Sequence, residues 1–121
     1  MNNFPLTRHF KWSEALCTNT GLDNTPNDYQ RSNLIRLFLM LEKIRNYVGY
    51  PLIINSAFRS TAVNQAVGGV KNSLHLEGRA VDISTLNLPE KIKIKLWNNL
   101  MTYDPYEIYE NKAKHYIHVA F

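Results

Sequence analysis

The chain has 121 residues, of which 45% are hydrophobic and 20% are charged. This length and composition predict one soluble globular domain over residues 1–121, and they exclude a disordered or fibrous protein. No window approaches the roughly 18 consecutive apolar residues of a transmembrane helix, so no membrane span is predicted. The formal net charge of +4 suits an anionic partner such as a bacterial wall or a nucleic acid.

The N-terminal segment from Met1 to Arg8 lacks the apolar stretch of a signal peptide. We therefore expect a protein made in the cytoplasm, which needs another means of release if it acts outside a membrane. Cys17 is the one cysteine, so no intramolecular disulfide is predicted. We expect Cys17 to be a small buried side chain rather than a reactive thiol.

Two helices and a strand are predicted in the N-terminal half. Ser13 is a candidate N-cap for a short first helix. The longest helix is predicted from about Tyr29 to Val48, because apolar residues recur there every three or four positions. Gly49 follows, where a left-handed residue commonly ends a helix. Residues 52–55 are predicted as a short buried strand, since their β-branched pair suits a pleated surface.

The C-terminal half is predicted to contain two more helices and three strands. A short helix is expected over residues 60–67, and a loop then carries Ser73 and His75. The other predicted elements are a strand over residues 79–84, a helix from Pro89 to Thr102, and a hairpin of strands 106–109 and 116–119. Helices and strands segregate in this order, so the predicted fold class is α+β, with a small antiparallel sheet flanked by helices.

Three residues form a candidate metal site: His75, Asp82 seven positions later, and the distant His118. Two imidazoles and a carboxylate can hold one zinc ion and leave a fourth position open, as catalytic zinc sites do. Structural zinc sites more often use several cysteines, and this chain has one. Spacing alone, however, is more often explained by histidines that are solvent-exposed or hydrogen-bonded. We expect His9 to be such a histidine.

Several motifs resemble the zinc D-alanyl-D-alanine carboxypeptidase family. That family includes bacterial wall carboxypeptidases and phage peptidoglycan endopeptidases, and it shares its fold with the hedgehog signalling domain. The motifs are Ser73-x-His75-x-x-Gly78-x-Ala80-x-Asp82, Tyr116-Ile-His118-Val119, Ile54-Asn-Ser56-Ala-Phe58-Arg59-Ser60, Val63-Asn64-x3-Gly68-Gly69, Phe10-Lys-Trp-Ser13-Glu14 and Leu22-Asp23-Asn24-Thr25-Pro26. They cover nearly the whole chain, and the last two resemble small phage-type members.

The resemblance implies roles for particular residues. His75, Asp82 and His118 would be the ligands of one Zn²⁺ ion. Arg59 would project into the cleft and contact a substrate carbonyl or carboxylate, for which its planar guanidinium is suited. Ser73 would hydrogen-bond the substrate, although it could equally cap the local turn.

The general base is the point at which the sequence departs from the family pattern. Many members carry Glu or Asp three residues before the last ligand, where this chain has His115. A neutral histidine can act as a base near pH 7, but positions three apart in a regular strand point to opposite faces. Glu110 is the other candidate at nearly equal weight, and Glu107 is a weaker third. Ser56-Ala57, in place of the family's Ser-Gly, is a milder departure.

The leading hypothesis is a monomeric zinc peptidase that hydrolyses amide bonds in peptidoglycan stem peptides, either as a D-Ala-D-Ala carboxypeptidase or as an endolysin-type endopeptidase. Without an export signal, it would resemble a phage-encoded lysin that reaches the wall on lysis. The alternative, motivated by the missing acid at position 115, is a zinc-bearing wall-binding or signalling module with little catalysis. A nucleic-acid partner is not expected, because the lysines are spread and no recognition motif is present.

Overall fold

The computed structural model describes residues 4–121. Residues 1–3, the start of the segment examined for a signal peptide, lie outside the described residues. The elements are the helices α1 (Trp12–Ala15), α2 (Asp28–Val48), α3 (Thr61–Ala66) and α4 (Glu90–Met101), the strands β1 (Ile54–Ser56), β2 (Ala80–Ser84), β3 (Glu107–Asn111) and β4 (Tyr116–Ala120), and a 3₁₀ turn (Leu74–Glu77). The predicted α+β class, with helices beside a small antiparallel sheet, is confirmed.

Helix α2 is capped at both ends. The side chain of Asn27 accepts a hydrogen bond from the N–H of Gln30 at 2.9 Å, and Oε1 of Gln30 accepts from the N–H of Asn27 at 2.8 Å. Gly49 ends the helix in the predicted left-handed conformation, with φ 71°. The predicted extent of this helix is thus confirmed to within one residue.

Two predicted boundaries differ from the structure. The prediction that Ser13 caps α1 is wrong, because Lys11 is the N-cap and its N–H donates to the carboxylate of Glu14 at 2.7 Å. The first sheet strand lies at Ile54–Ser56 rather than at residues 52–55. Its pairing partner β2 ends at Ser84, whose N–H donates to the carbonyl of Ile53 at 2.8 Å, so the ladder ends there.

The sheet has the strand order β1-β2-β4-β3, and all neighbouring strands are antiparallel. The register places Asp82 of β2 opposite His118 of β4, and Tyr109 of β3 on the other side of His118. Because side chains alternate along a strand, these three residues share one face of the sheet. The fold therefore assembles its candidate site across three adjacent strands.

The opposite face of the sheet forms the main hydrophobic core with α2 and α4. Its fully buried aliphatic and aromatic side chains include Leu34, Phe38, Leu41, Ile44, Val81, Ile83, Leu96, Leu100, Ile117 and Val119. Burying such a side chain stabilises a fold by about 1.5–3 kcal/mol. Core packing therefore determines which face of each strand is left for polar residues. Among residues 4–121, no helix is long and apolar enough to cross a membrane.

Candidate metal centre

The 3₁₀ turn presents His75 on a short element that the sequence predicts as a loop. The hydroxyl of Ser73 accepts a hydrogen bond from the N–H of His75 at 3.2 Å and so caps this turn. Gly78 follows with φ 73°, in the left-handed region that favours glycine. The chain reverses at Gly78, as the sequence predicts, and enters β2.

Helix α2 holds the 3₁₀ turn in place. Nε2 of Gln30 donates to the carbonyl of Leu76 at 2.9 Å, and Nδ2 of Asn33 donates to the carbonyl of Glu77 at 2.8 Å. A Cβ atom at Gly78 would lie only 2.7 Å from the carbonyl oxygen of Gln30. The position of His75 is therefore determined by close packing of its turn against a long helix.

The structure brings His75, Asp82 and His118 together. Oδ1 of Asp82 lies 3.2 Å from Nε2 of His75 and 2.8 Å from Nδ1 of His118. All three residues are buried, and their candidate ligand atoms lie within 4.8 Å of one another. Within residues 4–121, this is the one group of three or more His, Cys, Asp or Glu side chains with such spacing.

With neutral imidazoles, the cluster has too few hydrogens for its acceptors. Nδ1 of His75 lies 2.6 Å from the carbonyl oxygen of Ala57, which only accepts, so Nδ1 carries the hydrogen and the Nε2 lone pair of the neutral ring faces Asp82. His118 contacts Asp82 through Nδ1 and Glu107 through Nε2, each at 2.8 Å, but a neutral imidazole has one N–H. Protonated imidazoles or a bound divalent cation would satisfy these contacts, and the donor set of two imidazoles and a carboxylate fits Zn²⁺.

The pKa shifts reflect the close pairing of carboxylates with imidazoles in the cluster. Burial alone would raise the pKa of Asp82, but hydrogen bonds with His118 and His75 outweigh burial and lower that pKa to about 2. Burial would lower the pKa of His118, but hydrogen bonds to Asp82 and Glu107 outweigh it and raise the pKa. The site therefore keeps an ionised buried carboxylate that attracts positive charge.

Arg59 lies beside the cluster rather than extending freely into the cleft. Its Nε donates to Oγ of Ser56 at 3.1 Å, Nη1 donates to Oδ1 of Asn64 at 3.2 Å, and Nη2 lies 3.4 Å from Oδ2 of Asp82. Its side chain is 17% exposed and lines the cleft. A guanidinium has five N–H donors, so two of them have no acceptor among residues 4–121. Arg59 thus contacts a candidate ligand and the cleft at once.

Neither of the two preferred candidates for the general base reaches the cluster. His115 lies in the turn between β3 and β4, with φ 60°, and its exposed side chain is not among the residues that line the cleft. Glu110 pairs with Ile117, on the sheet face opposite His118, and its carboxylate accepts from Nζ of Lys93 at 2.9 Å. Strand alternation is the reason, since an odd spacing from Glu107 puts Glu110 on the helix-covered face.

Glu107 and Tyr109 are the residues of β3 that do face the cluster. Glu107 bonds to His118, as described above, and the ring of Tyr109 stacks on that of His118 with centroids 4.8 Å apart. Burial, followed by a hydrogen bond with Tyr116, raises the pKa of Tyr109 to about 12. The sequence motifs place Glu107 third among the candidate general bases and do not single out Tyr109. The alternating positions 107 and 109, once registered against His118, are the signal that could have found them.

An open cleft of about 1320 Å³ surrounds the cluster. Its lining includes residues 67–70 together with Ser73 and His75, and also three tyrosines, namely Tyr106, Tyr109 and Tyr116. Small-molecule pockets typically enclose about 300–1,000 Å³, so the cleft has room for a short peptide segment.

Similarity to known proteins agrees with this geometry. The sequence pattern of a known family, peptidase M15, matches residues 8–120. The chain belongs to the peptidase M15 family. A curated relative, the zinc D-Ala-D-Ala carboxypeptidase of Streptomyces albus G, is 37% identical over 54 residues, which are 44% of this chain and 21% of the relative. This M15 chain therefore spans about a fifth of the length of the curated relative it matches, and the family resemblance predicted from the motifs is confirmed.

Proposed function

We propose that this M15 chain is a zinc-dependent peptidase that hydrolyses amide bonds in peptidoglycan stem peptides. The observation that carries the proposal is the buried cluster of His75, Asp82 and His118, which lines a peptide-sized cleft. Family membership supports peptide hydrolysis, and the name of the Streptomyces relative, a zinc D-Ala-D-Ala carboxypeptidase, supports zinc and a D-Ala-containing substrate.

Each residue of the cluster has a role in this proposal. Nε2 of His75, a carboxylate oxygen of Asp82 and a ring nitrogen of His118 would hold one Zn²⁺ ion. When bound, zinc supplies Lewis-acid polarisation of the scissile carbonyl and lowers the pKa of a water molecule. The hydrogen bond from Nδ1 of His75 to Ala57 orients that ring, as the outer partners of metal-binding histidines commonly do.

Glu107 is our candidate for the general base. Its carboxylate lies next to His118, lines the cleft and is 45% exposed, so water and substrate can reach it. In this role Glu107 accepts a proton from the attacking water and donates it to the leaving amine nitrogen. His115 and Glu110 lack this placement, so we assign the role to Glu107.

Arg59 and Ser73, which also line the cleft, would act on the substrate. The two N–H groups of Arg59 that have no acceptor within the described part of the chain fit a substrate carbonyl or terminal carboxylate. Ser73 caps the 3₁₀ turn with its hydroxyl oxygen and lines the cleft, so its O–H remains able to donate to a substrate oxygen.

The alternative of a zinc-bearing module without catalysis rested on the missing acid at position 115. Glu107 supplies a carboxylate beside the cluster from the neighbouring strand, and this observation favours the enzyme. The carboxypeptidase and endopeptidase activities use the same chemistry, and the product distinguishes them. Action on the cell wall follows from the proposed substrate, whereas the phage origin and the monomeric state stay predictions from the sequence.

Mass spectrometry of digested peptidoglycan tests the proposal. Zinc-loaded protein should release a product whose mass names the cleaved bond, and a chelator should abolish that product until Zn²⁺ is restored. Glu107→Gln should reduce the rate by about 10²–10⁴-fold with zinc still bound, while the matched control Glu110→Gln should not. His118→Ala should lose zinc. Zinc-loaded protein that binds but cuts none of several wall types would instead favour the binding module.

A further inference from the structure

Three side chains hydrogen-bond to the guanidinium of Arg59 and hold it as a clamp, although Arg59 also lines the cleft. Its partners come from three different places: Ser56 on β1, Asn64 on α3, and Asp82 on β2. Oδ1 of Asp82 faces the two imidazoles, so the contact with Arg59 falls on the other carboxylate oxygen, Oδ2. The orientation of Arg59 is therefore linked to the rotamer of a candidate metal ligand.

Asn64 uses both the oxygen and the nitrogen of its side-chain amide within this clamp. Asn64 is 3% exposed. Its Oδ1 accepts from Nη1 of Arg59 at 3.2 Å, and its Nδ2 donates to the carbonyl of Val70 at 2.9 Å. Its backbone carbonyl accepts from the N–H of Gly69 at 2.9 Å. Asn64 thus joins Arg59 to the segment of residues 68–70, which lines the cleft.

Gly69 leaves the space that the amide of Asn64 occupies. A Cβ atom at Gly69 would lie 2.0 Å from Oδ1 of Asn64 and 3.0 Å from Nη1 of Arg59. Gly69 is not among the glycines with positive φ, unlike its neighbour Gly68 at φ 72°, whose Cβ would meet nothing within 4 Å. Glycine at position 69 is therefore required for space around Arg59 and not for backbone conformation.

We propose that Asn64 is a positioning residue that acts through Arg59, with Gly69 keeping its place open. The amide of Asn64 holds the guanidinium so that Nη2 fixes Oδ2 of Asp82 and the remaining N–H groups point into the cleft. A guanidinium released from Asn64 regains rotamer freedom, which weakens both contacts. This inference rests on the proposed function for the identity of the metal and of the peptide, but not for the clamp itself.

The clamp has a direct spectroscopic test. The ¹⁵N–¹H side-chain signals of Arg59 should be resolved and protected from exchange in the native protein. Asn64→Ala and Gly69→Ala should each remove that protection, whereas Gln65→Ala, an exposed neighbour on the same helix, should leave it unchanged. Gly69→Ala also covers the case in which Asn64→Ala does not fold, since it changes no hydrogen-bonding atom.

A double-mutant cycle separates positioning from a merely structural role. Asn64→Ala should lower kcat/KM by about 10-fold or more, and it should weaken the Kd for Zn²⁺, measured against a chromophoric chelator, by about 3–10-fold. In an Arg59→Ala background the same change should have less than about a 2-fold further effect, because its path runs through Arg59. Additive losses, or unchanged Arg59 signals in Asn64→Ala, would overturn the proposal. A native protein without any peptidase activity would refute the proposed function, while the NMR and zinc measurements would still decide the clamp.

Discussion

Gly78→Ala provides the sharpest test of how the fold places His75. At φ 73°, an alanine is strained by about 1–2 kcal/mol. The new Cβ would also lie 2.7 Å from the backbone oxygen of Gln30 and 3.1 Å from Cγ of Leu34, which is fully buried. Overpacking of this kind typically costs about 1–3 kcal/mol, so the free energy of unfolding should fall by about 2–5 kcal/mol in total.

Gly49→Ala is the matched control. Gly49 has nearly the same φ, 71°, but a Cβ there would meet nothing within 4 Å. Its substitution should therefore cost only the backbone strain of about 1–2 kcal/mol. The entropic effect of replacing glycine in the unfolded chain is common to both variants and cancels in the comparison. The excess loss in Gly78→Ala measures the contact of the 3₁₀ turn with α2.

Urea unfolding in the presence of a chelator gives the two free energies without a contribution from bound metal. Zinc titration of the folded variants gives the functional consequence. Gly78→Ala should weaken zinc binding, because a displaced turn carries His75 with it, whereas Gly49→Ala should not. Equal destabilisation of the two variants, or unchanged zinc affinity in Gly78→Ala, would refute the reasoning that α2 positions this ligand.

Three further predictions concern residues around and away from the site. Tyr109→Ala should weaken zinc affinity by about 2- to 10-fold through loss of the ring stacked on His118, and Tyr109→Phe should retain it; equal losses in both would point to the hydroxyl instead. Burial raises the pKa of Glu42, but hydrogen bonds from His9 outweigh it and lower that pKa. Glu42→Gln should therefore lower the free energy of unfolding by about 1 kcal/mol near pH 6. Urea titrations should find that the difference between the variant and the native protein disappears as the pH falls through the lowered pKa of Glu42. Burial raises the pKa of the Cys17 thiol, so its alkylation at about pH 7, followed by mass, should be at least roughly 10-fold slower in native than in unfolded protein; equal rates would contradict this.

Local chemistry made several features predictable from the chain alone. The limits of α2 follow from the Asn27 and Gln30 side chains at one end and from Gly49 at the other, because caps involve residues only a few positions apart. The candidate ligands His75, Asp82 and His118 were identified by residue type and motif, since the donor atoms that suit zinc are few.

The choice of a candidate general base depended on information that the local sequence does not carry. Glu107 and Glu110 are three positions apart and chemically alike, and only the register of β3 against β4 decides that Glu107 faces His118 while Glu110 faces Lys93. That register is selected by which strand face is buried against α2 and α4, a property of the whole core.

The surroundings of Arg59 were also decided by the tertiary structure. The motif identified Arg59 as a cleft residue, but its clamp brings together Ser56, Asn64 and Asp82 from three elements. Residue type thus determined which groups are available for metal binding and catalysis. The packing of distant segments decided which of those groups meet, because a hydrogen bond forms only where the fold places donor and acceptor within about 3 Å.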